Sequence, residues 1–312
     1  MTKETNMIPK TIRYSTLLLL AAGLSQTGCN KSSESTTTSE GGNTSAASTT
    51  IQVQGSDTMV NVAQAWAEQY ADVKSNVSVE VGGGGSGVGI AALINGTVDI
   101  ANASRNMKDA EKAKAKANSG KDAIEIVVGY DALAVFVHKD FPLDEITVEQ
   151  LDAIYAEGGN ITKWSQLGAK VPGCDSDDII RVSRQSNSGT YEYFREHILA
   201  KKDFRLGSMD MNGSKEVVEL ISNTPCAIGY SGMGYATDEV KMLKVAAKKG
   251  ETAYEPSIKN VHDKTYPVAR PLFMYTLGTP QGAVKDYVDW TLGPAGQKIV
   301  AESGYVPLSA VE

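Results

Sequence analysis

The stretch Ile179-Ile180-Arg181-Val182-Ser183-Arg184-Gln185-Ser186-Asn187-Ser188-Gly189-Thr190 joins a strand pattern to a helix pattern through a polar loop. Ile179 to Ser183 predicts a buried β-run. Thr190 to Leu199 predicts a helix on which Tyr191, Phe194, Ile198 and Leu199 recur at helical spacing. The loop between them carries a cation, hydroxyls and a glycine where the first helical N–H groups and the positive end of the helix dipole point outward. Ser188 and Thr190 can donate O–H bonds and Arg184 offers a planar fork, so the junction reads as an anion site. The plainer reading is that Ser188 or Thr190 caps the helix and Arg184 pairs with a surface carboxylate.

The same arrangement occurs three more times. Ile51 to Gln54 leads through Gly55-Ser56-Asp57-Thr58 into a helix with Met59, Val62, Ala63, Trp66, Ala67 and Tyr70 on one stripe. Val77 to Val81 leads through Gly82-Gly83-Gly84-Gly85-Ser86-Gly87 into a short helix, Val88 to Ile94. Val98 to Ala103 leads through Ser104-Arg105 toward a helix over Lys108 to Ala117. A glycine run lets backbone amides approach a ligand closely because no Cβ intervenes. A longer β-run, Glu125 to Val137, reads as broken at Gly129-Tyr130-Asp131. Alternating strands and helices predict α/β layers with parallel strands, in which ligands lie beyond the carboxyl ends of the strands. All four loops fall there.

At 312 residues and 41% hydrophobic content, the chain is long enough for two lobes with separate cores. Residues 1–29 read as an export signal, with Lys3, Lys10 and Arg13 ahead of the apolar run Leu17 to Leu24 and Gln26-Thr27-Gly28-Cys29 at its end. Cys29 is the candidate lipid acceptor, although Gln26 stands where such signals carry an aliphatic residue, so ordinary signal cleavage stays open. Residues 30–50 predict a tether, since 12 of the 21 are Ser or Thr and no apolar face offsets the ordering entropy. Cys174 and Cys226 are a disulfide candidate in an oxidising compartment, or else two buried thiols. His138, His197 and His262 are far apart, and no motif suggests a metal or a cofactor.

With 30 basic and 37 acidic residues the net charge is −7, which opposes long-range capture of anions and argues against nucleic acid. An anion site here works through local dipoles and buried hydrogen bonds. Gly82-x-Gly84-x-x-Gly87 formally matches a dinucleotide fingerprint, but the acidic residue expected about 20 positions further on is missing, Asp99 coming too soon. Ser86, Ser188 and Ser231 sit beside glycines without completing G-x-S-x-G, and no histidine base lies near them in sequence. A phosphatase or serine hydrolase is therefore the weaker reading. Trp66 reads as core; Tyr230 and Tyr235 can approach the cleft, although aromatic residues in a strand-rich stretch are more often core; and Arg270, in the return segment Pro267 to Pro271, reads as hinge support or a surface cation.

Gly55-Ser56-Asp57-Thr58-Met59, Gly85-Ser86-Gly87, Ser104-Arg105 and Arg184 with Ser188-Gly189-Thr190, in this order, resemble the phosphate-binding proteins of high-affinity phosphate ABC transporters. The resemblance extends from about Ile51 to the end. It implies a type II periplasmic-binding-protein fold, with two α/β lobes, two chain crossings and the ligand in the cleft. Residues 51–135 and 270–312 would form lobe one and 136–269 lobe two. It further implies that Thr58 donates its hydroxyl, Met59 its backbone N–H and Ser86 both, opposite Arg184, Ser188, Gly189 and Thr190, with Ser104 in the third loop. Ser56, Asp57 and Gly87 are secondary candidates. The family places an aspartate after the serine of the third loop, to accept the proton of hydrogen phosphate and repel sulfate. This chain has Arg105 there, which adds a cation without selecting between the two anions. Asp57 is a substitute acceptor or, more simply, a cap for the helix at Met59. The function implied is capture of inorganic phosphate, or of another tetrahedral oxyanion such as sulfate. The protein would be an exported, lipid-tethered monomer that delivers its ligand to a membrane permease without covalent chemistry.

Overall fold

The computed structural model describes residues 48–309. The signal, Cys29 and most of the tether lie outside them. In chain order the elements are β1 (Thr49–Gly55), α1 (Val60–Val73), β2 (Val77–Gly82), α2 (Ser86–Ile94), β3 (Ile100–Ala103), α3 (Asp109–Ser119) and β4 (Ala123–His138). They continue with β5 (Glu145–Thr147), α4 (Val148–Tyr155), β6 (Ile180–Arg184), α5 (Gly189–His197), β7 (Met209–Met211), α6 (Ser214–Ser222), β8 (Ala227–Gly232) and β9 (Val240–Ala246). The last are α7 (Ile258–His262), β10 (Ala269–Leu277), α8 (Gly282–Leu292) and α9 (Pro294–Glu302). Thr49 and Thr50, assigned to the tether from composition, open β1 and pair with Val77 and Ser78.

Strands run in the order β2-β1-β3-β10-β4-β8-β6-β7, with β9 on β4 and β5. The parallel expectation holds for β1 with β2 and β3, and for β6 with β7 and β8. β10 and β4 run antiparallel to their neighbours, so the sheet is mixed. No break occurs at Gly129-Tyr130-Asp131, because each of these residues has a ladder partner in β10: Leu272, Pro271 and Arg270. The run is one strand that changes partner, from Ala132 opposite Ala269 to Leu133 opposite Gly232. β4 and the segment entering β10 are thus the two crossings between lobes.

Three apolar cores follow this division. One packs Val62, Trp66 and Tyr70 of α1 with Tyr287, Val288 and Ile299 against one face of the first sheet half. A second packs Ile90 and Leu93 of α2 with Ala115 and Phe273 against the other face. The third joins the distal half of β4 to Tyr155, Phe194, Val217 and Tyr230. Trp66 is fully buried and donates its indole N–H to the Gly296 carbonyl (2.8 Å). Complete burial of side chains such as Val62 or Phe194 contributes about 1.5–3 kcal/mol each. Tyr230 stacks on Phe194 with ring centroids 3.8 Å apart, as the core reading expects. Cys174 and Cys226 are joined in a disulfide with Cα atoms 5.1 Å apart.

Candidate functional site

Parallel β1, β2 and β3 end on one side of their sheet half, and the loops that follow carry Ser56, Asp57, Thr58, Ser86, Ser104 and Arg105. β6 delivers Arg184, Ser188, Gly189 and Thr190 from the other lobe. The two sets meet. Thr58 Oγ1 lies 2.9 Å from Thr190 Oγ1, and Ser56 Oγ donates to Ser104 Oγ (2.9 Å). Ser104 N–H donates to Ser86 Oγ (3.0 Å). Gly189 abuts these hydroxyls so closely that a Cβ there would stand 2.3 Å from Ser86 Oγ and 2.6 Å from Ser104 Oγ. Only glycine allows this approach between lobes.

Arg184 is fully buried. Its guanidinium donates to Asp57 Oδ2 (3.0 Å), Ser214 Oγ (3.0 Å) and the Asn212 carbonyl (2.9 Å), while Nε has no partner among the described residues. Burial lowers its pKa, against the pull of Asp57. The carboxylate that Arg184 meets is thus on the opposite lobe, not on the surface of its own. Asp57 does not cap the first helix. Its second oxygen accepts Gly84 N–H (2.7 Å), because the tight turn at Asp57–Met59 aims the side chain toward the glycine loop. Met59 N–H, expected to face an anion, closes that turn on the Ser56 carbonyl (2.9 Å). Gly87 N–H donates to the Asn187 carbonyl (2.9 Å), and Ser188 caps α5 by accepting Thr190 N–H (3.1 Å).

Arg105 does not enter the hydroxyl cluster as a free cation. Glu111, in the first turn of α3, takes both of its terminal nitrogens (2.8 and 2.9 Å) and also accepts Lys108 N–H (2.8 Å). A bidentate fork of this kind fixes the guanidinium as well as neutralising it.

Two central residues escaped the sequence reading as site residues. Arg270, 1% exposed, donates through Nη2 to Asp131 Oδ2 (2.9 Å), Thr190 Oγ1 (3.0 Å) and Thr58 Oγ1 (3.3 Å), and through Nη1 to the Ser104 carbonyl (3.2 Å). It is neither a surface cation nor only hinge support, for it binds hydroxyls from both lobes at once. Asp131 also accepts from Arg270 Nε (3.1 Å) and from Met233 N–H (3.2 Å). Complete burial raises its carboxyl above the ordinary value, against the lowering effect of Arg270 and Met233 N–H. A signal did exist: Asp131 is the one charged side chain between Ile126 and Val137, and a lone buried charge requires a partner.

The lobes also touch at the rim. Asn187 Nδ2 donates to the Gly84 carbonyl (3.0 Å), Lys108 pairs with Glu192 (2.9 Å), and Tyr235 OH donates to the Asp57 carbonyl (2.6 Å). Burial pushes the Tyr235 phenol up to about 12, so it stays a donor. Among the described residues neither Ser86 nor Ser188 has a histidine partner, and Ser231 Oγ is buried with no hydrogen-bond partner. Among the described residues no three His, Cys, Asp or Glu side chains gather as a metal site.

Two lobes on a shared strand, with donors from both converging on the cleft, define a solute-binding protein. The chain matches the PBP superfamily domain over residues 38–295. It belongs to that superfamily and, within it, to the family of the phosphate-binding protein PstS. It is 35% identical over 271 residues to the phosphate-binding protein PstS of Pseudomonas aeruginosa, covering 82% of each chain. It is also 35% identical over 269 residues to protein SphX of Synechococcus elongatus, covering 83% of this chain and 78% of that one. A Clostridium perfringens ABC-transporter substrate-binding protein solved with bound phosphate superposes with TM-score 0.73 at 29% identity, over 83% of this chain and 100% of that one. PstS from Borrelia burgdorferi gives 0.54 at 27%, over 84% and 100%.

Proposed function

We propose that this protein captures inorganic phosphate between its lobes and delivers it to an ABC permease, by binding alone. The observation that carries the reading is the meeting of Thr58, Thr190 and Arg270 Nη2, where each lobe supplies a hydroxyl to one buried cation. Burying a dianion is costly, and charge-assisted hydrogen bonds of about 1.5–3 kcal/mol each offset that cost. Thr58, Ser56, Ser86 and Ser104 would bind from lobe one, and Arg184, Gly189 and Thr190 from lobe two, with Arg270 and Asp131 between them. We assign residues 49–132 and 269–309 to lobe one and 133–268 to lobe two, following the change of strand partner. This moves the boundaries expected from sequence by a few residues. Donors from both lobes favour the closed arrangement, since a ligand shifts a population only by binding one state better.

The N-terminal pattern supports export, with Cys29 as lipid acceptor and residues 30–47 as the tether, and a monomer suffices because one chain supplies every donor named. Calorimetric titration of anion-stripped protein with phosphate and then sulfate, at one pH and ionic strength, tests the ligand. Tight, selective phosphate binding is expected. Absence of phosphate binding would refute the reading, and equal binding of both anions would make the ligand a tetrahedral oxyanion at large.

A further inference from the structure

We infer that the protein carries a second ligand site, a cavity behind the hinge that takes a small aromatic carboxylate and favours closure of the cleft when filled. The site stands on its own geometry; only its coupling to anion capture rests on the phosphate reading above.

The cavity has a volume of about 400 Å³, within the range of small-molecule pockets. Both lobes build it. Tyr130, Pro271 and Leu308 line it from lobe one, and Val261, Lys264 and Tyr266 from lobe two. In the β4–β10 ladder Tyr130 pairs with Pro271, next to the pair of Asp131 with Arg270. Side chains alternate between the two faces of a strand. Since Asp131 and Arg270 serve the cleft, Tyr130 and Pro271 stand on the opposite face of the same two crossings. Arg270 also borders the cavity, so one residue is shared by both sites. Hydrogen bonds fix the walls. Tyr266 OH donates to the Leu133 carbonyl (2.8 Å), Tyr130 N–H to the Val306 carbonyl (2.7 Å), and Tyr193 OH to the carbonyl of Ala269 (2.7 Å), which also lines the cavity.

The lining sets the class of ligand. Two tyrosine rings, Pro267, Pro271 and two aliphatic side chains suit a flat apolar body. Lys264 and His262, both solvent-exposed, supply a basic side, and no carboxylate lines the cavity among the described residues. Asp263, between them in sequence, is paired with Lys259. Lys264 ends the turn after α7 with a φ of 57°, in the left-handed region where glycine or asparagine is the easier choice. A glycine would satisfy that backbone at less cost, but only a long cationic side chain puts an ammonium at the edge of an aromatic pocket. A carboxylate carried on a ring meets this ammonium while the ring fills the space beside the tyrosines. Opening the cleft turns the lobes about the two crossings and shifts the cavity walls relative to each other. A ligand seated against both lobes in the closed arrangement therefore stabilises that arrangement.

The test is calorimetric titration of the full chain with 2-naphthoate and with its neutral counterpart 2-naphthamide, in wild type and Lys264→Gly, with and without phosphate. Lys264→Gly removes the cation and leaves the turn in a conformation that glycine adopts freely, so folding is preserved. Wild type is expected to bind the carboxylate about fivefold more tightly than the amide, and Lys264→Gly to lose that preference. Saturating 2-naphthoate is expected to tighten phosphate binding about fivefold, and phosphate to tighten 2-naphthoate by the same factor. Absence of 2-naphthoate binding to wild type, or an unchanged preference in Lys264→Gly, overturns the inference. Displacement of 2-naphthoate by phosphate overturns it too, because the probe would then sit in the cleft. So does 2-naphthoate binding that leaves phosphate affinity unmoved. A wild type that binds 2-naphthoate with the Lys264-dependent preference but binds no phosphate refutes the phosphate reading and leaves the cavity site standing.

Discussion

Asn187→Ala removes a hydrogen bond that exists only while the lobes touch. The Asn187 side chain reaches across the cleft to the Gly84 carbonyl at 3.0 Å, at an exposed rim position. The backbone bond from Gly87 N–H to the Asn187 carbonyl survives the substitution. A neutral hydrogen bond contributes about 0.5–1.5 kcal/mol net, which corresponds to a factor of about 2–12 in an equilibrium constant. Because the bond stabilises the closed, liganded state and not the open one, phosphate Kd should rise by that factor. The increase should appear in the dissociation rate, measured by stopped-flow displacement beside calorimetry. Lys108→Ala, which removes the half-exposed pair with Glu192, should cost less and lose its effect at high salt. An unchanged Kd in Asn187→Ala would refute the reasoning, because the free protein would then hold the same bond. A loss carried by the association rate would refute it as well.

Arg184→Ala should weaken phosphate at least about tenfold, since a buried charge-assisted donor is lost; unaltered affinity in calorimetry would remove Arg184 from the site. Cys174→Ser/Cys226→Ser opens a link spanning 52 residues of sequence, worth up to about 4 kcal/mol in the loop-entropy account. A lower thermal midpoint with phosphate affinity intact is expected, and an unmoved midpoint would contradict it. Burial raises the Glu111 carboxyl, but bonds from Arg105 and Lys108 N–H outweigh it and hold the group below its ordinary value of 4.5. A depressed carboxyl stabilises the fold above that value, and the contribution is lost as pH falls through the lower folded value. Urea midpoints should therefore fall less steeply with acid in Glu111→Gln than in wild type, and parallel curves would show that the pair adds nothing.

The four loops were legible because each is a local event, a strand turning into a helix through hydroxyls and glycine. Their convergence followed from the parallel strands that carry them. Arg270 and Asp131 were not legible as partners, since they are 139 positions apart and meet only through the antiparallel register of β10 on β4. The apparent break at Gly129-Tyr130-Asp131 came from reading a glycine and an acid as turn chemistry, whereas ladder partners in β10 and the guanidinium of Arg270 hold both in a strand. Arg105 was placed in the right loop, but its fate depended on Glu111 six residues later, whose own position was set by the start of α3. Asp57 likewise followed neighbours outside its own helix, Gly84 and Arg184.

β4 is one continuous strand that serves both sheet halves, pairing with β10 up to Ala132 and with β8 from Leu133. Melting of either lobe would strip the edge from the strand on which the other is built, and would expose the Arg270–Asp131 pair that spans the junction. Two lobes with three apolar cores would otherwise be expected to denature in separate steps. Here calorimetric unfolding should be a single cooperative transition, with bound anion raising its midpoint as one unit.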